Sequence, residues 1–397
     1  MACISTPGNA LRRKALPLLL AGLFPVAAAG SDGVPASPAV PAIVSKAPVA
    51  LLVDLSSGQT LYAHSADRRF LPASVAKAMT SLVAFDLIAA GRLSENTVVS
   101  VRPETAARWA GKGTTLSLRP NEAITIGELL QGTATVSAND AAVALAEAAQ
   151  GSTAAWTAAM NARARQLGMT GSHFATPNGF PDHGATYVTA QDLVKLAQAL
   201  IIEHPQLYRR YIGQQAMLWR GARLVSHDPF AGVLPGADGI KTGHTFEAGF
   251  NFLGAVERNG RRLVLVVAGL WSEPERARTA TALAEWGYSA WDDRPWLAPG
   301  MIVGEVRVQR GTARTVPVTV LRGYTLSLPH GTSPRVSSRI TYNGPLIAPV
   351  AKGTRLGELE VRIDGEPGYA IPVIAARDVR AAGPFDRLAN GLLGLLQ

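Results

Sequence analysis

The chain has 397 residues, of which 47% are hydrophobic and 17% charged, and a formal net charge of +9. That length and apolar content exclude wholesale disorder and leave room for one large core with a smaller domain beside it. The single cysteine, Cys3, rules out a disulfide framework or a cysteine-ligated metal site.

Residues 1–29 run from Arg12, Arg13 and Lys14 through the apolar stretch Ala15 to Val26 into Ala27-Ala28-Ala29, the pattern of a secretory leader cut after Ala29. A retained transmembrane helix is the alternative, but the apolar core falls short of the roughly 20 residues a span needs. Pro17 and Pro25 also interrupt it. Removing the three basic residues lowers the formal charge to +6 (9 − 3). Residues 30–48 are rich in Pro, Ala, Ser and Gly without periodicity and are expected to form a flexible tether.

From Val49 to Leu55 and from Thr60 to Ala63 the chain reads as two strands around the turn Ser56-Ser57-Gly58-Gln59. Pro72 precedes a helix expected from Ser74 to Ala90. More helices are signalled by the capping boxes Thr125-x-x-Glu128 and Thr189-x-x-Asp192 and by the Ala-rich runs Ala141 to Ala149 and Ala154 to Leu167. Phe250 to Glu257 and Arg262 to Leu270 are apolar β-type runs joined across Asn259-Gly260, a favoured type I′ turn pair, and a helix from Glu273 to Trp291 follows. Strands, a helical insert, strands and a last helix predict an α+β domain over residues 49–293 whose two ends share one antiparallel sheet.

Short alternating runs at Val303 to Val308, Val316 to Val320, Thr325 to Leu328 and Leu359 to Ile363 predict a separate small all-β domain over residues 300–380. Residues 300–397 hold 12 Lys and Arg against 7 Asp and Glu, a basic bias suited to an anionic membrane or wall polymer or simply to a solvated surface. No aromatic-plus-basic pattern points to nucleic acid. In residues 384–397, Phe385, Leu388, Ala389, Leu392, Leu393 and Leu396 make one apolar stripe at helical spacing. Too short to span a bilayer, this helix would lie in its interface, or dock on the β-domain, or fray at Gly391 and Gly394.

Three short motifs carry the chemistry. Ser74-Val75-Ala76-Lys77 puts a hydroxyl and an amine on one helix face. An amine accepts a serine proton only where burial and a second cation lower its pKa. The chain has 31 Arg and 7 Lys, and Lys stands at positions 77 and 241; arginine never deprotonates and cannot serve as a base. Ser137-Ala138-Asn139 follows at the entrance to the Ala141 helix, and Lys241-Thr242-Gly243 just before the last hairpin. Alone, each motif is weak: Ser74 and Ser137 suit helix caps, and Lys241 suits a strand end. In this order they form the serine acyl-transfer trio of penicillin-binding proteins and class A β-lactamases.

With this trio the chain resembles the low-molecular-weight penicillin-binding proteins, serine-type D-alanyl-D-alanine carboxypeptidases. The likeness runs from about Ala50 to Trp291 and includes Pro72-Ala73-Ser74, Met160-Asn161, Leu167-Gly168-Met169, Thr176-Pro177-Asn178-Gly179 and Asp238-Gly239-Ile240-Lys241-Thr242-Gly243-His244-Thr245, continuing more loosely into the β-domain. It implies a β-lactamase/transpeptidase-like fold, no cofactor, and removal of the terminal D-alanine from peptidoglycan stem peptides, with β-lactams as covalent inhibitors. Ser74 would be the nucleophile, Lys77 its base and Ser137 the proton relay to the leaving group. Asn139, Lys241 and Thr242 would bind substrate, and the strand residues Gly243 and His244 would close on it, with the N–H groups of Ser74 and His244 as oxyanion donors. The expected location is the periplasm, on the outer face of the inner membrane.

Some alternatives stay open. An endopeptidase of the same superfamily would cut crosslinks, and a wall-binding scaffold would do no chemistry. A class A β-lactamase fits less well, because Ala138 replaces that class's Asp and no Glu for fast deacylation stands out. The chain also departs from the resembled family at Ser226-His227-Asp228-Pro229-Phe230, where an Asn-x-Asn-x-Leu pattern carries a basic carboxylate-binding residue. His227, Arg223 or neither would take that place. No His-Glu-x-x-His or comparable spacing among the seven histidines signals a metal.

Overall fold

A computed structural model describes residues 38–383, which form two compact units, Pro38–Asp292 and the chain from Asp293 onward. The expected leader (1–29), the first part of the tether and the amphipathic stripe of residues 384–397 lie outside the described residues.

The first unit is organised by strands that are apolar on both faces. Its elements are α1 (Ala42–Ser45), β1 (Val49–Asp54), β2 (Gln59–His64), α2 (Lys77–Ala89), β3 (Val98–Ser100), α3 (Pro103–Trp109), β4 (Ala123–Thr125), α4 (Ile126–Ala134), α5 (Asn139–Gln150), α6 (Thr153–Gln166), α7 (Ala190–Glu203) and α8 (Pro205–Tyr211). The hairpin β5 (Ala216–Trp219) and β6 (Ala222–Val225) leads to β7 (Ala237–Thr245), β8 (Gly249–Arg258), β9 (Arg261–Leu270) and α9 (Glu273–Ser289).

Five strands form one antiparallel sheet in the order β2-β1-β9-β8-β7, so the N-terminal hairpin pairs with the C-terminal strands. Period-two alternation sends Leu51, Val53, Val264 and Val266 into a core shared with the helical insert. Their neighbours Ala50, Leu52, Leu263 and Leu265 enter a second core under α9. Turn chemistry holds as well: Asn259 and Gly260 both have positive φ (52° and 79°), as a type I′ turn requires.

The helical insert is capped as its sequence predicts at α4, where Glu128 N donates to Thr125 Oγ1 (3.1 Å) and Thr125 N to Glu128 Oε2 (2.8 Å). At α7 only half the box forms. Asp192 N donates to Thr189 Oγ1, while the Asp192 carboxylate instead accepts from Gly171 N and Ser172 Oγ. The flexible-tether expectation for residues 30–48 needs correction at its described end. Val44 of α1 is fully buried, and Trp286 Nε1 donates to Ala39 O at 2.9 Å, because Val40, Ile43 and Val44 supply apolar side chains that pack under α9.

After β10 (Trp291–Leu297), whose first two residues belong to the first unit, the second unit contains β11 (Ile302–Gln309), β12 (Thr315–Thr319), β13 (Tyr324–Pro329), β14 (Val336–Tyr342), β15 (Leu346–Ile347), β16 (Arg355–Ile363) and β17 (Glu366–Ala375). Six of these make a sheet in the order β14-β16-β17-β12-β11-β15, and β10 pairs with β13. Val306, Val316, Val318, Leu359, Ile371 and Val373 fill its own core. None of the helices among the described residues is long and apolar enough to cross a membrane.

Candidate active site

The turn that carries Ser74 precedes α2. Pro72 leads into Ala73, which is held at φ +49°, a left-handed conformation that an alanine adopts only under constraint from its surroundings. Ser74 is the second residue of a short 3-10 turn, Ala73–Ala76, that runs directly into Lys77 at the start of α2. In a first turn the backbone N–H groups have no intrahelical partner and point outward. Ser74 is only half-buried, whereas Lys77 is completely enclosed at 0% exposure.

Lys77 Nζ lies 2.8 Å from each of three oxygens: Ser74 Oγ, Asn139 Oδ1 and the Asn178 carbonyl. Two of these can only accept. A neutral amine has two N–H bonds for Asn139 and Asn178, which leaves its lone pair facing the Ser74 hydroxyl. Burial holds the Lys77 pKa well below its usual value; Lys241 lowers it further, and Asp140 opposes the shift.

The second motif lies between α4 and α5. Asn139 Nδ2 donates to Lys112 O at 2.9 Å and Asn139 N to Thr114 O at 2.8 Å, so the amide oxygen is turned to Lys77. Beside it the Asp140 carboxylate accepts from Leu116 N (2.9 Å), Leu118 N (3.0 Å) and Ala141 N (2.8 Å), tying the preceding loop over the helix start. Ser137 is buried at φ +67°, but among the described residues its hydroxyl makes no hydrogen bond to Lys77 or Ser74. Asn139, not Ser137, is the member of this motif that hydrogen-bonds to Lys77 here.

The third motif occupies β7, the sheet edge nearest the Ser74 turn. A Cβ added to Gly243 would stand 2.3 Å from Pro72 O and 3.1 Å from Ser74 N, so only glycine lets the strand backbone press against that turn. Lys241 is buried and donates to Thr242 O at 3.1 Å. Burial and then Arg276 lower its pKa to about 7, against the pull of Asp228. Thr242 is buried; His244 is exposed, and its imidazole stacks on Phe250 with ring centroids 3.9 Å apart.

Several residues the motifs do not contain complete the arrangement. Gly179, at φ +70°, leaves no room for a Cβ, which would lie 1.9 Å from Ala73 O; this close approach delivers the Asn178 carbonyl to Lys77. Asn251 Nδ2 donates to Leu71 O at 2.9 Å while its Oδ1 accepts from Gly269 N, clamping the segment that leads into the Ser74 turn to the sheet. The signal for Asn251 was a lone amide between Phe250 and Phe252 in an apolar strand.

Arg276 on α9 had no such signal. It is buried, donates from Nη2 to His227 O (3.3 Å) and Glu273 Oε1 (2.9 Å), and its guanidinium carbon lies 5.8 Å from the Phe250 ring centroid. His227 is exposed, yet the protein around it disfavours a charged imidazole, ahead of repulsion from Lys241. Arg223 is exposed on β6. Away from this site, the Asp86, Glu203 and His204 ligand atoms lie within 4.8 Å of one another. Arg163 already pairs with both carboxylates, 3.0 Å from Asp86 and in contact with Glu203.

A mixed sheet-and-helix domain with a serine at the head of a buried helix, a lysine one turn on and a second lysine on the adjoining edge strand belongs to the active-site serine hydrolases. The chain is a member of the D-alanyl-D-alanine carboxypeptidase family: that family's model matches residues 35–271. A second model, described as the C-terminal domain of penicillin-binding protein 5, matches residues 291–381. D-alanyl-D-alanine carboxypeptidase DacF of Bacillus subtilis is 28% identical over 94% of this chain and 96% of its own length. The crystal structure of penicillin-binding protein 5 from Haemophilus influenzae superimposes with a TM-score of 0.75, at 27% identity over 86% of this chain and 99% of that one. Penicillin-binding protein D2 from Listeria monocytogenes, solved in a cefotaxime-bound form, matches at a TM-score of 0.56 and 28% identity, over 61% of this chain and 97% of that one. The α+β fold with a following all-β domain and the serine-type carboxypeptidase class are thus the ones the motifs implied.

Proposed function

We propose that the protein trims the terminal D-alanine from peptidoglycan stem peptides through an acyl-enzyme on Ser74, and that β-lactams acylate the same oxygen. The observation that carries this reading is the set of 2.8 Å contacts around Lys77 Nζ, which satisfies a neutral amine while aiming its lone pair at Ser74.

Lys77 accepts the Ser74 proton as Oγ bonds to the carbonyl carbon between the two D-alanines. The oxyanion is held by the N–H groups of Ser74 and His244, a role supported by the closeness of Gly243 to Ser74 N. The C–N bond breaks, and the proton taken up by Lys77 goes to the leaving amine, with Ser137 as the proposed relay although its hydroxyl makes no hydrogen bond to Lys77 before substrate binds. Asn139 holds the substrate backbone, and Thr242 with Lys241 receives the terminal carboxylate. Water then attacks the ester, releasing the shortened peptide and restoring the Ser74 hydroxyl. A β-lactam presents its strained amide to the same oxygen; the cefotaxime-bound relative supports this part.

The leader pattern of residues 1–29 and the apolar stripe of residues 384–397 support work in the periplasm at the outer face of the inner membrane. The test is incubation with fluorescent penicillin followed by intact mass and peptide mapping. A single adduct on Ser74, absent in Ser74→Ala, is expected; labelling that survives Ser74→Ala removes this serine from the mechanism.

A further inference from the structure

Thr80 lies on α2 one helical turn beyond Lys77, on the same face, and is completely buried. A hydroxyl inside a helix usually turns back to the carbonyl four residues earlier. Its neighbour Ser81 does so, donating to Lys77 O at 3.0 Å. Thr80 Oγ1 instead donates out of the helix to Pro177 O at 2.5 Å, while Met160 Sδ, a weak acceptor, is 3.7 Å away. Trp156 Nε1, from α6, donates to Thr80 Oγ1 at 3.3 Å. That bond occupies a lone pair of the hydroxyl and directs its single proton to the Pro177 carbonyl.

Pro177 O and Asn178 O are consecutive carbonyls. One accepts from Thr80 and the other from Lys77 Nζ at 2.8 Å, so two residues one turn apart on α2 receive both. Gly179 N donates to Thr176 Oγ1 (3.0 Å) and Phe180 N to Asn178 Oδ1 (3.1 Å). These contacts shape the turn, and the bond from Thr80 ties it to the helix that carries the amine. We propose that Thr80 is a positioning residue for Lys77: through Pro177 it holds the Asn178 carbonyl against Nζ and so keeps the amine's lone pair on Ser74. This rests on the base role of Lys77 proposed above. With the Asn178 carbonyl displaced, a neutral amine keeps one fixed acceptor, Asn139, and is free to turn its lone pair away from the hydroxyl.

Thr80→Val keeps the shape of the side chain and removes the hydroxyl, while Lys241 and Asp140, the charged groups that act on Lys77, stay in place. Stopped-flow acylation by penicillin, followed from pH 5 to 10, separates the limiting rate from the half-saturating concentration. In Thr80→Val the limiting rate is expected to fall about 10- to 100-fold with the half-saturating concentration unchanged, the mark of a misplaced reacting group. The acidic limb of its profile is expected at lower pH than in wild type, because a carbonyl that accepts from Nζ favours the charged amine. Thr80→Ser keeps the donor and restores the rate. If circular dichroism shows Thr80→Val unfolded, Thr80→Cys, whose thiol is a weak donor, takes its place with the same expectations. A limiting rate within about threefold of wild type would be too small for misplacement and overturns the positioning role. An acidic limb moved to higher pH, as water enters around Lys77, or a Thr80→Ser variant as slow as Thr80→Val overturns it too, and each of these leaves the Ser74 reading intact. No Ser74 adduct in the wild-type protein overturns both.

Discussion

Gly243 and Ser74 meet through their backbones: a methyl group on Gly243 would lie 3.1 Å from Ser74 N and 2.3 Å from Pro72 O. The strand edge and the Ser74 turn are therefore positioned by contact, with no side chain between them. Gly243→Ala is expected to push β7 away from the turn and to slow penicillin acylation about 100-fold, the scale of a 1 Å misplacement. Stopped-flow acylation rates measure this; a rate within threefold of wild type would show that the turn tolerates the displacement.

Lys77→Arg keeps a cation at this position and removes the proposed base. Because guanidinium does not give up its proton, acylation is expected to fall by about 100- to 10,000-fold. Mass spectrometry of the penicillin adduct, with circular dichroism as a check on folding, decides the matter. Full activity in this variant would end the general-base assignment.

Lys241, with its pKa lowered to about 7, loses its charge as pH rises through neutrality. If its ammonium helps hold the substrate carboxylate, KM for a D-alanyl-D-alanine peptide rises above about pH 7. Arg276→Gln removes a cation that holds this pKa down, so the rise in KM is expected to move to higher pH. A KM profile from pH 5.5 to 9 that does not move in the variant would separate Arg276 from Lys241.

The same shift makes a statement about stability. Unfolded Lys241 titrates near pH 10.4 and folded Lys241 near 7, so between these values the unfolded chain binds more protons and this residue's contribution to stability rises with pH. Lys241→Met lacks that titration. The thermal midpoint of the variant minus that of wild type is therefore expected to shrink from pH 7 to pH 10; a constant difference would contradict the depressed pKa.

Far from the site, Asp54 Oδ2 accepts from Arg261 Nε at 2.7 Å, and both side chains are buried. Arg261 Nη1 also donates to Trp291 O. Asp54→Ala strands the guanidinium and is expected to cost about 3–5 kcal/mol in a urea melt. Loss of under 1 kcal/mol would mean that water reaches Arg261 in the variant.

Much of this protein is legible locally, because the signals involved act over a few residues. The alternation of Leu51, Leu52 and Val53 sets which core each enters, Asn259-Gly260 sets a hairpin, and Thr125 with Glu128 starts a helix. Ser74 and Lys77 are one helical turn apart, so their contact is written into the spacing. The order of the three motifs also points to the enzyme class. Spacing says nothing about partners brought in by long-range closure. Asn139 and Asn178 reach Lys77 from 62 and 101 residues away, and Arg276 meets His227 across 49. Ser137 carries a motif position yet makes no hydrogen bond to Lys77, and Val44 is buried within a stretch whose composition reads as tether. The sequence alone determined the first two strands, the Asn259-Gly260 hairpin, four strands of the second unit and the chemistry available, since each depends on neighbouring residues. Only the tertiary structure decided which carbonyls surround the amine, because that depends on how the helical insert, the sheet edge and α9 close around one buried lysine.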